Sequence, residues 1–274
     1  PYTLYLQPEP APMVYILPGL GGHRSGDSAL ALAEMVYKRG FSAVTISSSM
    51  NFEFIDNASS VDLPGLAQVD AHDVVLDAIH HELDASYPGQ VTSRVLMGMS
   101  LGAFHTLFIA AAEADPADRL ISFDRYIALN PPVRMEHGMK VLDGYYNAPM
   151  QVAEDARQES IVHTLRKAIR LGKGTLSPAM GLPFTELEAL RNNMGVLRTE
   201  LKDNQRSPAY SEISDFSFME YFYAFLLPYY AERREDISND EAGAERLFEL
   251  SDLRSIEDAL RQNGRIELIV PGTF

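Results

Sequence analysis

Along the first half of the chain, short apolar runs alternate with longer stretches in which apolar residues recur every three to four positions. "MVYILPG" (Met13–Gly19) is a short apolar run closed by Pro-Gly, and predicts a buried strand. "DSALALAEMVYKRG" follows as a helix, with Asp27 or Ser28 placed to cap it and Gly40 to end it. "FSAVTISS" (Phe41–Ser48) predicts the next strand. After a polar loop, Leu66, Val69, Leu76, Ile79 and Leu83 share one face of a helix that Pro88-Gly89 stops. "RVLMGMS" reads as a strand, "LGAFHTLFIAAAEA" as an apolar helix, and "RYIALNPPV" (Arg125–Val133) as a strand ended by two prolines. Alternation at this rhythm implies βαβ units: a mostly parallel, doubly wound sheet with helices on both faces, its buried strands reading as continuous apolar runs.

From about Arg134 the pattern changes, and only helix signals are seen as far as about Ala259. Ile161, Leu165 and Ile169 lie four apart, and Leu187, Leu190, Met194 and Leu197 keep a helical rhythm. "DFSFMEYFYAFLLPYYAER" (Asp215–Arg233) is dense in Phe and Tyr on more than one helical face. "RIELIVPGTF" (Arg265–Phe274) then returns to strand character. The simplest organisation is one α/β core, residues 1–133 and 260–274, interrupted by an all-helical insertion, residues 134–259.

Composition narrows the classes. The 274 residues are 46% hydrophobic, enough for a substantial core. The formal net charge is −15 and no basic stripe is visible, so nucleic acid is not an expected partner, because phosphate binding needs clustered Lys and Arg. With no Cys there is no disulfide, thiolate metal site or cysteine nucleophile. No His-Glu-x-x-His or similar ligand spacing appears, so neither metal nor other cofactor is indicated. No apolar run is long enough for a transmembrane helix. The first residue is Pro1 rather than Met, as expected after removal of an export signal or of any other leading segment.

The chemistry concentrates in Gly98-Met99-Ser100-Leu101-Gly102, a G-x-S-x-G where a strand gives way to a helix. A serine hydroxyl is a poor nucleophile at neutral pH. It needs a base, a group that orients the base, and N–H donors aimed at the developing oxyanion. A sharp strand-to-helix turn presents the serine, and Gly98 and Gly102 flank it because side chains there would clash with the neighbouring strand and helix. The alternative is an inert serine in a tight turn. "LPGLGGHRSG" (Leu17–Gly26) lies on an earlier strand-to-helix loop, and its glycines free backbone N–H groups to point inward.

Together, "YILPGLGGHRSG" and "LMGMSLGA" make Met13–Val133 resemble the α/β-hydrolase family. The resemblance implies Ser100 as nucleophile, an oxyanion hole from the backbone N–H groups of Leu20 and Leu101, and a helical lid between later strands. Pro18-Gly19 stands where the family often has His-Gly. The resemblance also implies a catalytic acid after a late strand and a His after the last. Pro271–Phe274 supplies neither, so both are expected beyond Phe274.

Of the seven histidines, His105 is expected to pack on the helix that follows Ser100, and His72, His80 and His81 to take solvated or interface positions on an earlier helix. His23 lies in the glycine-rich loop, within reach of a substrate; His137 and His163 fall in the insertion. The expected function is a serine hydrolase cleaving a carboxylic ester or related acyl compound, its partner a small, apolar acyl or ester substrate. A non-catalytic protein of the same fold, binding an apolar ligand or a partner, is the alternative. An acyltransferase on the same scaffold would use an alcohol in place of water.

Overall fold

A computed structural model of the chain describes residues 1–48, 51, 53, 66–113, 121–147 and 217–270. The helices expected around Ile161–Ile169 and Leu187–Leu197 lie outside the described residues, as do His163 and the side chains of Leu66, Val69 and His72. The chain divides into two compact units, Pro1–Met135 with Glu245–Phe274, and Glu136–Ala244.

In the first unit the described strands are β1 (Tyr2–Tyr5), β2 (Ala11–Leu17), β3 (Ser42–Ile46), β4 (Val91–Met99), β5 (Arg125–Leu129) and β6 (Ile266–Ile269). They form one sheet in the order β1-β3-β2-β4-β5-β6. β2, β3, β4, β5 and β6 pair in parallel; β1 runs antiparallel along β3, with Tyr2 opposite Ile46 and Tyr5 opposite Ala43. The fold is therefore the mostly parallel α/β sheet that the strand–helix rhythm predicts. β1 carries no such signal: four half-buried residues at a sheet edge give neither a continuous apolar run nor a clean alternation.

The helices that follow the strands are α1 (Asp27–Tyr37), α2 (Leu66–Ser86) and α3 (Leu101–Ala112). Neither Asp27 nor Ser28 caps α1. Gly26 occupies the cap position in an extended conformation, and Asp27 sits in the first turn, where its charge faces the positive end of the helix dipole. Along β2, successive side chains alternate between the two faces of the sheet. Val14 and Ile16 pack with Ala43, Val95 and Met97 from the sheet and with Ala33 and Val36 of α1. The intervening Tyr15 turns to the other face, edge-on to Phe123 with ring centroids 5.5 Å apart and its hydroxyl 3.3 Å from His80 Nδ1 on α2. α3 is buried along almost its whole length, as its apolar sequence requires.

The amino end of the sheet is tied by side chains. Glu113, buried after α3, pairs with Arg265 just before β6, and its Oε1 accepts the Phe123 N–H at 3.0 Å. Arg265 Nη1 donates to the Phe123 carbonyl at 2.9 Å, and Asp124 Oδ2 accepts the Arg94 N–H at 2.8 Å. Where the chain leaves and re-enters this unit, the two segments pair: Leu253 N donates to Val133 O at 2.9 Å, and Met135 N to Ser251 O at 3.2 Å. Buried Asp252 bridges both, with Arg254 on one side and Arg134, at 3.5 Å, on the other.

The described elements after Val133 are α4 (Met135–Asn147), then Phe218–Tyr221 continuing through a π-helical turn, Phe222–Leu226, into Leu227–Ala231 (together α5), then α6 (Glu241–Leu250), a 3-10 turn Leu253–Ile256 and α7 (Glu257–Gln262). The π turn has a local cause. The Leu227 N–H reaches Phe222 O, five residues back, directly before Pro228, which has no N–H to give and whose ring crowds the carbonyl four residues back. Ser217 and Glu220 form a capping box at the start of α5, and buried Asp143 of α4 accepts the Phe218 and Met219 N–H groups at 2.6 and 2.9 Å. Three side chains thus satisfy one helix start. Among the described residues, no helix is long and apolar enough to cross a membrane.

Candidate active site at the carboxyl end of the sheet

β4 ends at Met99 and α3 begins at Leu101, so Ser100 alone makes the turn between them. It does so at φ 53° and ψ −115°, a conformation that ordinary L-residues avoid and that costs about 1–3 kcal/mol. Two hydrogen bonds hold the strained residue: its N–H donates to Leu129 O at the end of β5 (2.9 Å), and its carbonyl accepts from Phe104 N (3.0 Å), starting the helix. The side chain is solvent-exposed.

The flanking glycines are a packing requirement. A Cβ on Gly98 would stand 2.1 Å from Gly102 O and 2.4 Å from Thr106 Oγ1; one on Gly102 would stand 2.2 Å from Leu17 O. No side chain fits either place without moving backbone. The second overlap also shows that the helix after Ser100 runs against the end of β2.

That contact carries the loop after β2 to the serine. A Cβ on Gly19 would lie 3.3 Å from Ser100 Cβ and 3.9 Å from its Oγ. Gly22 N donates to Gly19 O at 2.9 Å, closing a turn, and Gly21 has φ 64°. Leu20, with negative φ, is the second residue of that turn, the combination of a type II turn, which demands positive φ at the third position. The turn's own hydrogen bond does not use the Leu20 N–H. The Leu101 N–H belongs to the first turn of α3, where helix N–H groups have no intrahelical acceptor. The two N–H groups expected to receive an oxyanion are thus placed in the turn beside Ser100 and directly after it, and neither is used by the bond that closes the turn or by an intrahelical acceptor. Leu20 is exposed and Leu101 buried.

Beyond the turn, the loop is stitched to the segment after β3. Ser48 N donates to Gly22 O and Asn51 Nδ2 to Gly21 O, both at 2.8 Å. Arg24 Nε donates to both carboxylate oxygens of Glu53, at 3.0 and 3.1 Å, and Ser47 Oγ donates to Glu53 Oε2 at 2.5 Å. Hydrogen bonding from Ser47, together with the Arg24 guanidinium, holds the Glu53 carboxyl below its usual range. The sequence singles out none of these partners, because Glu53 stands 29 positions from Arg24 with no motif linking them. Asn130 was also missed. It has φ 51° at the end of β5, directly after the carbonyl that binds Ser100, and its N–H donates to Ile269 O at 2.7 Å. Its only signal is an Asn, a residue that tolerates this conformation, before two prolines.

The histidines are dispersed. His23 Nδ1 accepts the Ser25 N–H at 3.1 Å and its Nε2 lies 3.4 Å from Glu53 Oε2, so both ring nitrogens are engaged within the loop. His80 is buried between Tyr15, Arg94 and Asp84, and burial followed by the Arg94 charge lowers its pKa. His105 is buried on α3, while His81, which pairs with Asp77 at 3.4 Å, and His137 are exposed. Among the described residues, no group of three or more His, Asp or Glu is arranged to hold a metal ion.

No protein-family model matches the chain, and no curated protein matches its sequence. Solved structures similar to it include Est1E from Butyrivibrio proteoclasticus with ferulic acid bound (20% identity, 48% of each chain, TM-score 0.36). They also include the carboxylesterase Cest-2923 from Lactobacillus plantarum WCFS1 (18% identity, 57% of this chain and 56% of that one, TM-score 0.39). A third is the esterase Pf2001 from Pyrococcus furiosus (15% identity, 55% of this chain and 50% of that one, TM-score 0.38). The chain spans about half the length of these structures.

Proposed function

We propose that the protein is a serine hydrolase of the α/β-hydrolase type that cleaves a carboxylic ester or a related acyl compound. The observation that carries this reading is the backbone of Ser100: φ 53° in a strand-to-helix turn, with two glycines that admit no side chain and the β2 loop in contact above it. An inert turn serine has no need of strain, since a glycine would relieve it. Strain that persists under such tight packing is the mark of a residue whose side chain is wanted in that place.

In the proposed reaction Ser100 Oγ attacks the acyl carbonyl as a histidine base takes its proton. The Leu20 and Leu101 N–H groups stabilise the oxyanion, and the returned proton leaves with the alcohol. Water then attacks the acyl-enzyme by the same route, releasing the acid and restoring the serine. No cofactor enters. In this arrangement the base is not His23, whose ring nitrogens are both engaged in the loop. The helical segment between β5 and β6 would serve as a lid. An apolar acyl group is the substrate moiety proposed, in keeping with the density of Phe and Tyr in the sequence of that segment.

Labelling with a fluorophosphonate probe, read by intact mass, tests the reading. The expected result is one adduct, absent in Ser100→Ala, with ester turnover falling by roughly 10⁴-fold or more in that variant. A folded full-length protein that takes no adduct, or takes one that survives Ser100→Ala, overturns it and leaves ligand binding as the better account.

A further inference from the structure

A turn that must present the Leu20 N–H to an oxyanion contains Gly19, Gly21 and Gly22, the residues with most conformational freedom to lose. Something has to hold it. Leu20 at the tip of the turn is exposed, and most of the polar attachments described for the loop run to the segment 45–53. These attach the loop at two points. At the turn, Ser48 N and Asn51 Nδ2 donate to Gly22 O and Gly21 O. Downstream, the backbone of Arg24 is gripped on both sides: its N–H donates to Ser47 Oγ at 3.0 Å, and its carbonyl accepts from Thr45 Oγ1 at 2.8 Å. Its guanidinium donates to Thr3 Oγ1 of β1 at 2.7 Å and, through Nε, to both oxygens of Glu53.

Glu53 is where these attachments converge. Its carboxylate takes hydrogen bonds from Arg24 and Ser47 and approaches His23, and its own N–H donates at 3.0 Å to Asn51 Oδ1, the residue that grips Gly21. We propose that Glu53 is a positioning residue for the oxyanion-binding loop, acting through Arg24, Ser47 and Asn51 to hold Gly19–Gly26 against Ser100. The proposal rests on the hydrolase reading for its catalytic consequence, but not for its structural one.

Charge opposes a purely electrostatic role. A carboxylate near the site would by itself disfavour an oxyanion; beside Arg24 it is offset. An electrostatic role would make Glu53→Gln neutral or faster, because Arg24 keeps its charge while the anion is removed. A positioning role makes the same substitution slower, because an amide is a weaker acceptor for a guanidinium.

The test compares Glu53→Ala, Glu53→Gln and, as a control on an exposed helix pair, Glu34→Gln. Backbone amide hydrogen exchange is read over residues 17–26, and kcat and KM are measured separately on p-nitrophenyl butyrate. For Glu53→Ala we expect loop amides to exchange roughly 10–100-fold faster with α2 and α3 unchanged, the size of a lost charged hydrogen-bond set. We also expect kcat to fall roughly 10–100-fold with KM within about threefold, because oxyanion donors act on the transition state. Glu53→Gln should recover part of both effects, Glu34→Gln should change neither, and if Glu53→Ala does not fold, Glu53→Gln carries the test. Unchanged loop exchange in a folded Glu53 variant overturns the proposal, as does a loosened loop with unaltered kcat, or a Glu53→Gln enzyme faster than the parent. A parent protein that neither turns over esters nor takes the fluorophosphonate adduct overturns the hydrolase reading and the catalytic half of the proposal, while loop exchange still decides whether Glu53 holds the loop.

Discussion

The amino end of the central sheet and the surroundings of Ser100 at its carboxyl end are built differently. At the amino end, the connections are held by side chains: Glu113 with Arg265 and the Phe123 N–H, and Asp124 with the Arg94 N–H. At the carboxyl end, the contacts immediately around Ser100 are between backbones, and the side-chain ties of Arg24, Ser47, Asn51 and Glu53 lie farther out, on the loop after β2. Gly98 and Gly102 leave no room for a Cβ, and the two positive-φ non-glycine residues described, Ser100 and Asn130, follow β4 and β5 there. Side-chain ties tolerate small adjustments, because a rotamer can change. Backbone contacts at van der Waals distance do not, and they fix one side chain to within a fraction of an ångström. A site that must hold a nucleophile beside N–H donors needs the second kind of construction, and the first kind supplies the rigidity against which strain is maintained.

The sharpest way to break the contrast is at the glycines. Gly102→Ala places a methyl 2.2 Å from Leu17 O, so backbone must move; we expect a loss of at least about 3 kcal/mol in denaturant unfolding, or no folded protein. An effect below about 1 kcal/mol would mean that this end is as adaptable as the other. Glu113→Gln attacks the amino end. It leaves Arg265 without its anion and weakens the grip on Phe123 N; since Arg265 is partly exposed, about 1–3 kcal/mol is expected, with fluorophosphonate labelling of Ser100 unchanged in rate. Slower labelling would show that the two ends are coupled.

A smaller effect separates strain from contact at Asn130. Asn130→Gly keeps φ 51° without penalty, whereas Asn130→Ala should lose about 1 kcal/mol and slow labelling, because Leu129 O, the acceptor of the Ser100 N–H, is adjacent. Equal behaviour of the two variants would remove strain as the explanation. The smallest effect is in the pH dependence of stability. His80 faces Tyr15 of β2, Arg94 of β4, and Asp84, His81 and Asp77 of its own helix; burial, then Arg94, hold its pKa below the ordinary 6.5. The unfolded chain therefore takes up this proton first. The His80 contribution is intact above about pH 6.5 and is lost as pH falls through the lowered folded value. Melting temperature measured from pH 7.5 to 5 should fall less steeply in His80→Gln than in the parent, and identical slopes would place the sensitivity elsewhere.

Much of the sheet was legible because parallel buried strands leave an unusual trace: continuous apolar runs such as MVYIL and RVLMGM, separated by helical periods. β1 left none, being short and half-buried on an edge. The start of α1 was misplaced by one or two residues, since Asp27 suits either a cap or a first turn, and only the extended conformation of Gly26 distinguishes them. The elbow was legible as G-x-S-x-G between a strand and a helix, because its glycines answer a local steric demand that any reader of the motif can reconstruct.

What the sequence determined by itself was therefore local and periodic: which segments extend, which coil, and where a serine is forced into a turn. Tertiary structure alone decided which distant groups meet. It set the loop after β2 against Ser100, occupied both nitrogens of His23, buried His80 under Tyr15, and brought Glu53 to Arg24. The physical reason is range. Strand pleat, helix turn and glycine sterics act over a few residues and are written in consecutive letters, whereas hydrogen bonds between segments depend on strand order and register, which no local pattern encodes.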